Sequence, residues 1–189
     1  MNCGGRLLGL AALAAVVGGC ANDKGMLQRL ESDNAVVRTA AAREIASDAG
    51  ARGLRGLIGR AVKGTPGPPV VAALLQRLGD PSPEVRVMAA KALGNLKHRK
   101  AVEPLMAALA DPAPEVRLEA VASLGKLGDP AAIQALAPVL EDPPLRLAGI
   151  WALGMIGDRA AIPVLRPLMA SEDKYVRHNV RQALKAIGS

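Results

Sequence analysis

From Asp111 to Leu140 the chain reads DPAPEVRLEAVASLGKLGDPAAIQALAPVL, and its apolar positions fall at helical spacing. Val116, Ala120 and Leu124 recur every fourth residue. After Gly128 and Asp129, Ile133, Leu136 and Leu140 recur at i, i+3 and i+7. Each set lines one face of a 3.6-residue helix, so the spacing predicts two amphipathic helices joined by a short turn. Asp129 ahead of Pro130 gives the second helix an N-cap carboxylate and a first-turn proline. The proline lacks only an N–H that no helical carbonyl would accept there.

The pattern is copied on both sides. Residues 33–46, 80–94, 111–125, 142–154 and 173–185 each carry a turn, an aliphatic residue followed by Arg, and a helical run. The arginines are Arg38, Arg86, Arg117, Arg146 and Arg177, and the last four are spaced by 31, 29 and 31 residues. The short interval reflects two residues missing from the turn at Asp142. Such a period marks a solenoid, whose units bury their apolar faces only against neighbouring copies. The expected fold is therefore all-α, a solenoid of about four to five repeats over residues 25–189.

Aligning the copies on the aliphatic residue before each Arg isolates the unusual positions. Six residues on stand Arg43, Lys91, Ala122, Trp151 and Gln182, opposite the apolar face and so in water. Trp151 breaks this column, and two readings stand: an exposed contact for a partner, or local packing forced by the shortened Asp142 turn. Two residues on stand Thr39, Val87, Leu118, Leu147 and His178; five on stand Ala42, Ala90, Val121, Ile150 and Arg181. Both columns are apolar in the interior copies and polar in the last. They are expected to face the next repeat, with His178 a solvated residue of a terminal cap rather than a metal ligand or base.

Between Arg38 and Arg86 the register breaks. An irregular insertion at about 48–69 holds Gly50, Gly53, Gly56 and Gly59 with Arg52, Arg55, Arg60 and Lys63, while Leu54, Leu57, Ile58 and Ala61 keep helical spacing. Each interior glycine costs a helix about 1 kcal/mol relative to alanine, so any helix here is weak. No acidic residue falls between Ala49 and Gly79. The basic face either lies against anionic headgroups or is the solvated face of a degenerate repeat.

Composition narrows the picture. With no Phe, one Trp and one Tyr, the interior is built from Leu, Ala, Val, Ile and Met, which suits closely stacked helices better than a β-core. The formal charge of +7 allows acidic partners, but its distribution matters more than its sum.

The first residues read differently from the repeats. A short n-region with Arg6 precedes the apolar run Leu7 to Val17, which is signal-like in length and short for a bilayer span. Val17, Gly18, Gly19 and Cys20 follow, and they resemble the lipobox of bacterial lipoproteins. The resemblance implies a signal peptide at 1–19, acylation of Cys20 and a lipidated tether at 20–24. Ala21 after the cysteine implies sorting to the outer membrane, facing the periplasm. The bland alternative is an ordinary secretory peptide, or a buried helix, with a chance cysteine. With Cys3 removed and Cys20 acylated, the mature chain keeps no thiol for disulfide, metal or nucleophile.

The motifs Asp80-Pro-Ser-Pro-Glu-Val-Arg86 and Asp111-Pro-Ala-Pro-Glu-Val-Arg117, with the Leu-Gly-x-x-Gly-Asp turns at 124–129 and 153–158, resemble the HEAT repeat family. The likeness is to its short bacterial type, found in phycobilisome lyases. It implies a right-handed α-α superhelix. It also implies an inter-repeat ladder of turn Asp and helix Arg, giving Asp80, Arg86, Asp111, Arg117, Arg146, Asp173 and Arg177 structural roles.

Catalytic signals are few. His98 and His178 are followed by Arg99 and Asn179, so the His-Glu pairs that a HEAT-like hydroxylase uses for iron are absent, and no HExxH, GxSxG or phosphate-binding glycine loop occurs. The expectation is a non-enzyme without cofactor or metal. A nucleic-acid binder would need a basic track with stacking residues. The second helices, which would line the inner surface of a HEAT array, instead offer Glu103, Gln134 and Ala135, with Arg166 the main charge. The expected function is a lipid-anchored, monomeric scaffold at the cell envelope. Its partner is a protein or peptide, not nucleic acid, and is met at Trp151, Arg166, Gln134 and Glu103. The alternative is an accessory subunit of an enzyme complex, such as a phycobilin-lyase-like chaperone.

Overall fold

A computed structural model describes residues 23–52 and 69–188. Ten α-helices are present among them and no strand: α1 (Asp23–Leu30), α2 (Ala35–Arg52), α3 (Pro69–Arg77), α4 (Pro83–Asn95), α5 (Val102–Ala107), α6 (Pro114–Leu127), α7 (Ile133–Leu136), α8 (Pro143–Ile156), α9 (Ile162–Leu165) and α10 (Lys174–Ile187). The first helices of the repeats, α2, α4, α6, α8 and α10, pack each on the next. The remaining helices form a second layer, and one apolar core runs from Leu30 to Ile187 between the layers.

Turn chemistry sets the boundaries. The Ser82 hydroxyl accepts from the Val85 N–H at the start of α4, and the Asp173 carboxylate accepts from the Tyr175 N–H at the start of α10. Asp129 and Asp158 do the same for the second-layer segments, accepting from Ala131 and Ala160. Gly128, Gly157 and Gly188 close α6, α8 and α10 in the left-handed region, with φ of 68°, 71° and 83°, where glycine has no Cβ to clash.

The first helices approach each other over small residues. A Cβ on Gly94 would meet Ser123 Oγ at 2.5 Å, one on Gly125 would meet Ala152 Cα at 2.8 Å, and one on Gly154 would meet Ala183 Cβ at 3.0 Å. The glycine eight residues after each interior Arg therefore receives the residue six after the next Arg. At the first interface the Ser123 hydroxyl also donates to the Ala90 carbonyl.

Two expectations need correction. The second helices are not continuous α-helices. Residues Arg99–Ala101 and Ala108–Ala110 flank α5, Pro130–Ala132 and Pro138–Glu141 flank α7, and Arg159–Ala161 and Arg166–Ala170 flank α9, all as 3-10 turns. Pro138 and Pro167 have no N–H for the carbonyl four residues back, so the tighter i→i+3 pattern takes over. Where Ala107 replaces that proline, α5 keeps six α-helical residues against four in α7 and α9. The insertion at about 48–69 lies mostly outside the described residues, between the end of α2 at Arg52 and the start of α3 at Pro69. Finally, Ala42, Ala90, Val121 and Ile150 are fully buried, as a column facing the next repeat must be, but Leu118 and Leu147 are 46% and 43% exposed. Their column faces outward.

Candidate functional site

The arginines do one thing in common. Each reaches the carbonyl six residues before it, in its own turn: Arg38 to Ser32, Arg86 to Asp80, Arg117 to Asp111, Arg146 to Leu140 and Arg177 to Ser171, at 2.6–2.9 Å. This satisfies carbonyls left over where the chain turns. Two of the five also bind a carboxylate of the next repeat. Arg38 donates to both oxygens of Asp80 at 2.6 and 2.8 Å, and Arg86 to both of Asp111 at 2.8 and 2.7 Å. Both are bidentate pairs, the geometry in which Arg is strongest.

The ladder is thus shorter than the family resemblance implies. Arg117, Arg146 and Arg177 have no carboxylate partner among the described residues, and Asp173 caps α10 instead of forming a rung. The rung due at Asp142 is lost with the two missing turn residues, and its side chain makes no capping bond. Burial raises the Asp80 carboxyl, but the hydrogen bonds from Arg38 and the Ser82 N–H and the charges of Arg38 and Arg77 hold it below its ordinary value overall. The hydrogen bond from Arg86 holds Asp111 down likewise, against its burial.

The second layer presents an even outer face. Ala72, Glu103, Gln134 and Pro163 are exposed at equivalent positions on α3, α5, α7 and α9, beside a parallel exposed row of Gln76, Ala107, Pro138 and Pro167. Three of the expected contact residues lie here: Glu103, Gln134 and, further on, exposed Arg166. Glu103 borders an open groove of about 520 Å³ with Arg99, Lys100, Val102, Met106 and Asp129. Arg99 spans its rim to Asp129 at 3.4 Å.

Trp151 is on the other layer. It is 44% exposed, and its ring edge lies against Gly125, where a Cβ would meet Cζ3 at 3.2 Å. One edge of the ring thus packs on α6 while the residue stays part-exposed. Leu147 and Met155, one turn either side on α8, are 43% and 50% exposed, and Leu118 on α6 is 46% exposed. This stripe is hidden in the sequence because the repeat alignment assigns Leu118 and Leu147 to the surface facing the next repeat. The i, i+4, i+8 spacing of Leu147, Trp151 and Met155 was the available signal.

Cys20, Arg55, Arg60 and Lys63 lie outside the described residues, as does the side chain of Arg52. Among the described residues no cluster of His, Cys, Asp and Glu is placed to hold a metal ion, and no helix is long and apolar enough to cross a membrane.

Paired helices stacked along one continuous core, with the same cap and turn in successive copies, define an α-helical repeat solenoid. A family model described as HEAT repeats matches residues 71–146 and 136–189, and the chain belongs to the HEAT repeat family. Among solved structures it is similar to the complex of CpcE and CpcF of the phycocyanin lyase from Nostoc sp. (26% identity, 91% of this chain and 67% of that one, TM-score 0.71). It also resembles a designed armadillo repeat protein in complex with a (KR)4 peptide (21% identity, 94% and 90% covered, TM-score 0.68). Human deoxyhypusine hydroxylase shares the fold at 21% identity, with 95% and 78% covered and a TM-score of 0.55. No curated protein matches the sequence.

Proposed function

We propose that this chain is a non-enzymatic HEAT-repeat scaffold that holds a protein partner at the bacterial cell envelope, tethered through lipid on Cys20. The observation that carries the reading is the second-layer face. Its two exposed rows, from Ala72 to Pro163 and from Gln76 to Pro167, continue across four repeats with Glu103 the one charge within them and Arg99, Lys100 and Arg166 beside them. A smooth strip whose bordering cations are scattered fits an extended or helical protein segment, whereas nucleic acid would need a continuous line of cations. The designed armadillo protein, of the same fold, is in complex with a peptide. The tether rests on the lipobox-like Val17-Gly18-Gly19-Cys20 after the apolar run, and Ala21 rather than Asp after the cysteine supports an outer-membrane address.

A photo-crosslinking residue at Gln134, introduced in the native host, tests the scaffold. It is expected to trap a single envelope protein, and a cell that yields no adduct from this face refutes the reading. Palmitate labelling of the wild type but not of Cys20→Ala tests the anchor separately. The second reading, an accessory subunit of a chromophore lyase, draws on the likeness to the CpcE and CpcF complex. It is favoured if the trapped partner binds or modifies a tetrapyrrole.

A further inference from the structure

The outer face of the first layer has a composition that stacking does not require. Three columns of side chains cross it. Thr39, Val87, Leu118, Leu147 and His178 form one; Arg43, Lys91, Ala122, Trp151 and Gln182 the second; Ser47, Asn95, Lys126, Met155 and Ala186 the third. None of these residues is buried, and none is acidic. The nearest carboxylates either sit at the helix starts, as Glu84 and Glu115 do, or are engaged, as Glu119 is with Lys126 at 3.7 Å. Leu118, Leu147, Trp151 and Met155 make the centre apolar. Lys91 and Arg43 continue the Trp151 column, and Lys126 continues that of Met155. Exposed Lys91 has no carboxylate within ion-pair distance among the described residues.

We infer that this face docks on an anionic phospholipid bilayer, with Leu118, Leu147, Trp151 and Met155 entering the headgroup region and exposed Arg43 and Lys91 lying over the phosphates, while Lys126 stays with Glu119 and Asn95. An aromatic and aliphatic centre rimmed by long cations is what an interfacial surface needs, since Trp favours the boundary and Lys and Arg stems keep their charge in the polar layer. The absence of carboxylates from all three columns makes the face complementary to negative charge. The inference rests on the anchored reading above, which brings the solenoid to a membrane.

Trp151 is the chain's one tryptophan, so its emission reports this face alone. The full chain, purified lipidated from its host, is reconstituted into phosphatidylglycerol vesicles and separately into phosphatidylcholine vesicles, each with brominated acyl chains. Trp151 is expected to be blue-shifted and quenched in the first and close to its detergent spectrum in the second. Leu147→Asp with Met155→Asp, both at exposed positions, is expected to abolish the quenching while leaving the circular dichroism melt in place. Lys91→Gln is expected to lower the docked-to-free ratio about fivefold, the effect of removing one cation from an anionic surface. Unshifted, unquenched emission in phosphatidylglycerol overturns the inference, as does a blue shift that appears only when envelope proteins are added, which assigns the face to a protein partner. Palmitate on Cys20, read in the same preparation, separates the two failures. Labelled chain with unquenched Trp151 refutes the face and keeps the anchor; unlabelled chain with quenched Trp151 refutes the anchor and keeps the face.

Discussion

At Lys97 the chain adopts φ 50°, in the left-handed region, at the position where other copies place Gly128, Gly157 and Gly188. A side chain there clashes with its own backbone at a cost of roughly 1–2 kcal/mol. The next residue compounds the departure. His98 stands where Asp129 and Asp158 cap the second-layer segment, yet it makes no side-chain capping bond, and its Nδ1 is buried without a hydrogen-bond partner. Replacing Lys97 by glycine is therefore expected to stabilise the protein by about 1 kcal/mol, after allowing for the greater freedom of glycine in the unfolded chain. That corresponds to a rise in melting temperature of about 2–4 °C for a chain of this size, measured by circular dichroism. A lower melting temperature would mean that contacts of the lysine stem outweigh the backbone strain.

Among the elements, Gly125 decides how closely α6 and α8 approach. Helix propensity alone predicts that Gly125→Ala stabilises by about 1 kcal/mol. Packing predicts the reverse, because the new Cβ would lie 2.8 Å from Ala152 Cα, an atom that moves only with its helix, and would press on Trp151 as well. Overpacking typically costs about 1–3 kcal/mol, so the variant is expected to melt below the wild type and to alter Trp151 emission. A stabilised variant with unchanged fluorescence would show that the helices part without penalty. The helix starts and stops were legible in the sequence because caps, prolines and left-handed glycines act within a few residues. The 3-10 character of the second layer was less so: Ile133, Leu136 and Leu140 suit either winding, and only Pro138 decides between them. The Asp/Arg ladder was legible as chemistry but not in its length. Whether Arg117 finds a carboxylate depends on a turn geometry that two missing residues at Asp142 have changed. The outward direction of Leu118 and Leu147 depends on where the neighbouring helices sit, which no local spacing states.

Across the whole molecule the interfaces between repeats are unequal. The first two first-layer interfaces carry bidentate ion pairs, Arg38–Asp80 and Arg86–Asp111, with side chains 0–12% exposed. The interfaces of α6 with α8 and α8 with α10 carry none among the described residues and hold by apolar packing on Gly125 and Gly154. In a solenoid each repeat touches only its neighbours, so such differences stay local instead of averaging over the fold. Acid reads them out. Asp80 and Asp111 are both held below the ordinary carboxylate value of 3.8. Their stabilising contribution is therefore complete above that value and is lost as the pH falls below it and through their folded values. Protonation leaves Arg38 and Arg86 partly buried without their anions, a condition that costs several kcal/mol where burial is complete. Hydrogen exchange followed by mass spectrometry at pH 5 and at pH 3, corrected for intrinsic rates, is expected to show protection falling first in α2 and α4 while α8 and α10 keep theirs. The rise in net positive charge acts on every repeat, so the contrast between the two ends isolates the rungs. Uniform loss of protection along the chain would mean instead that the array unfolds as one unit and that the ion pairs add nothing local.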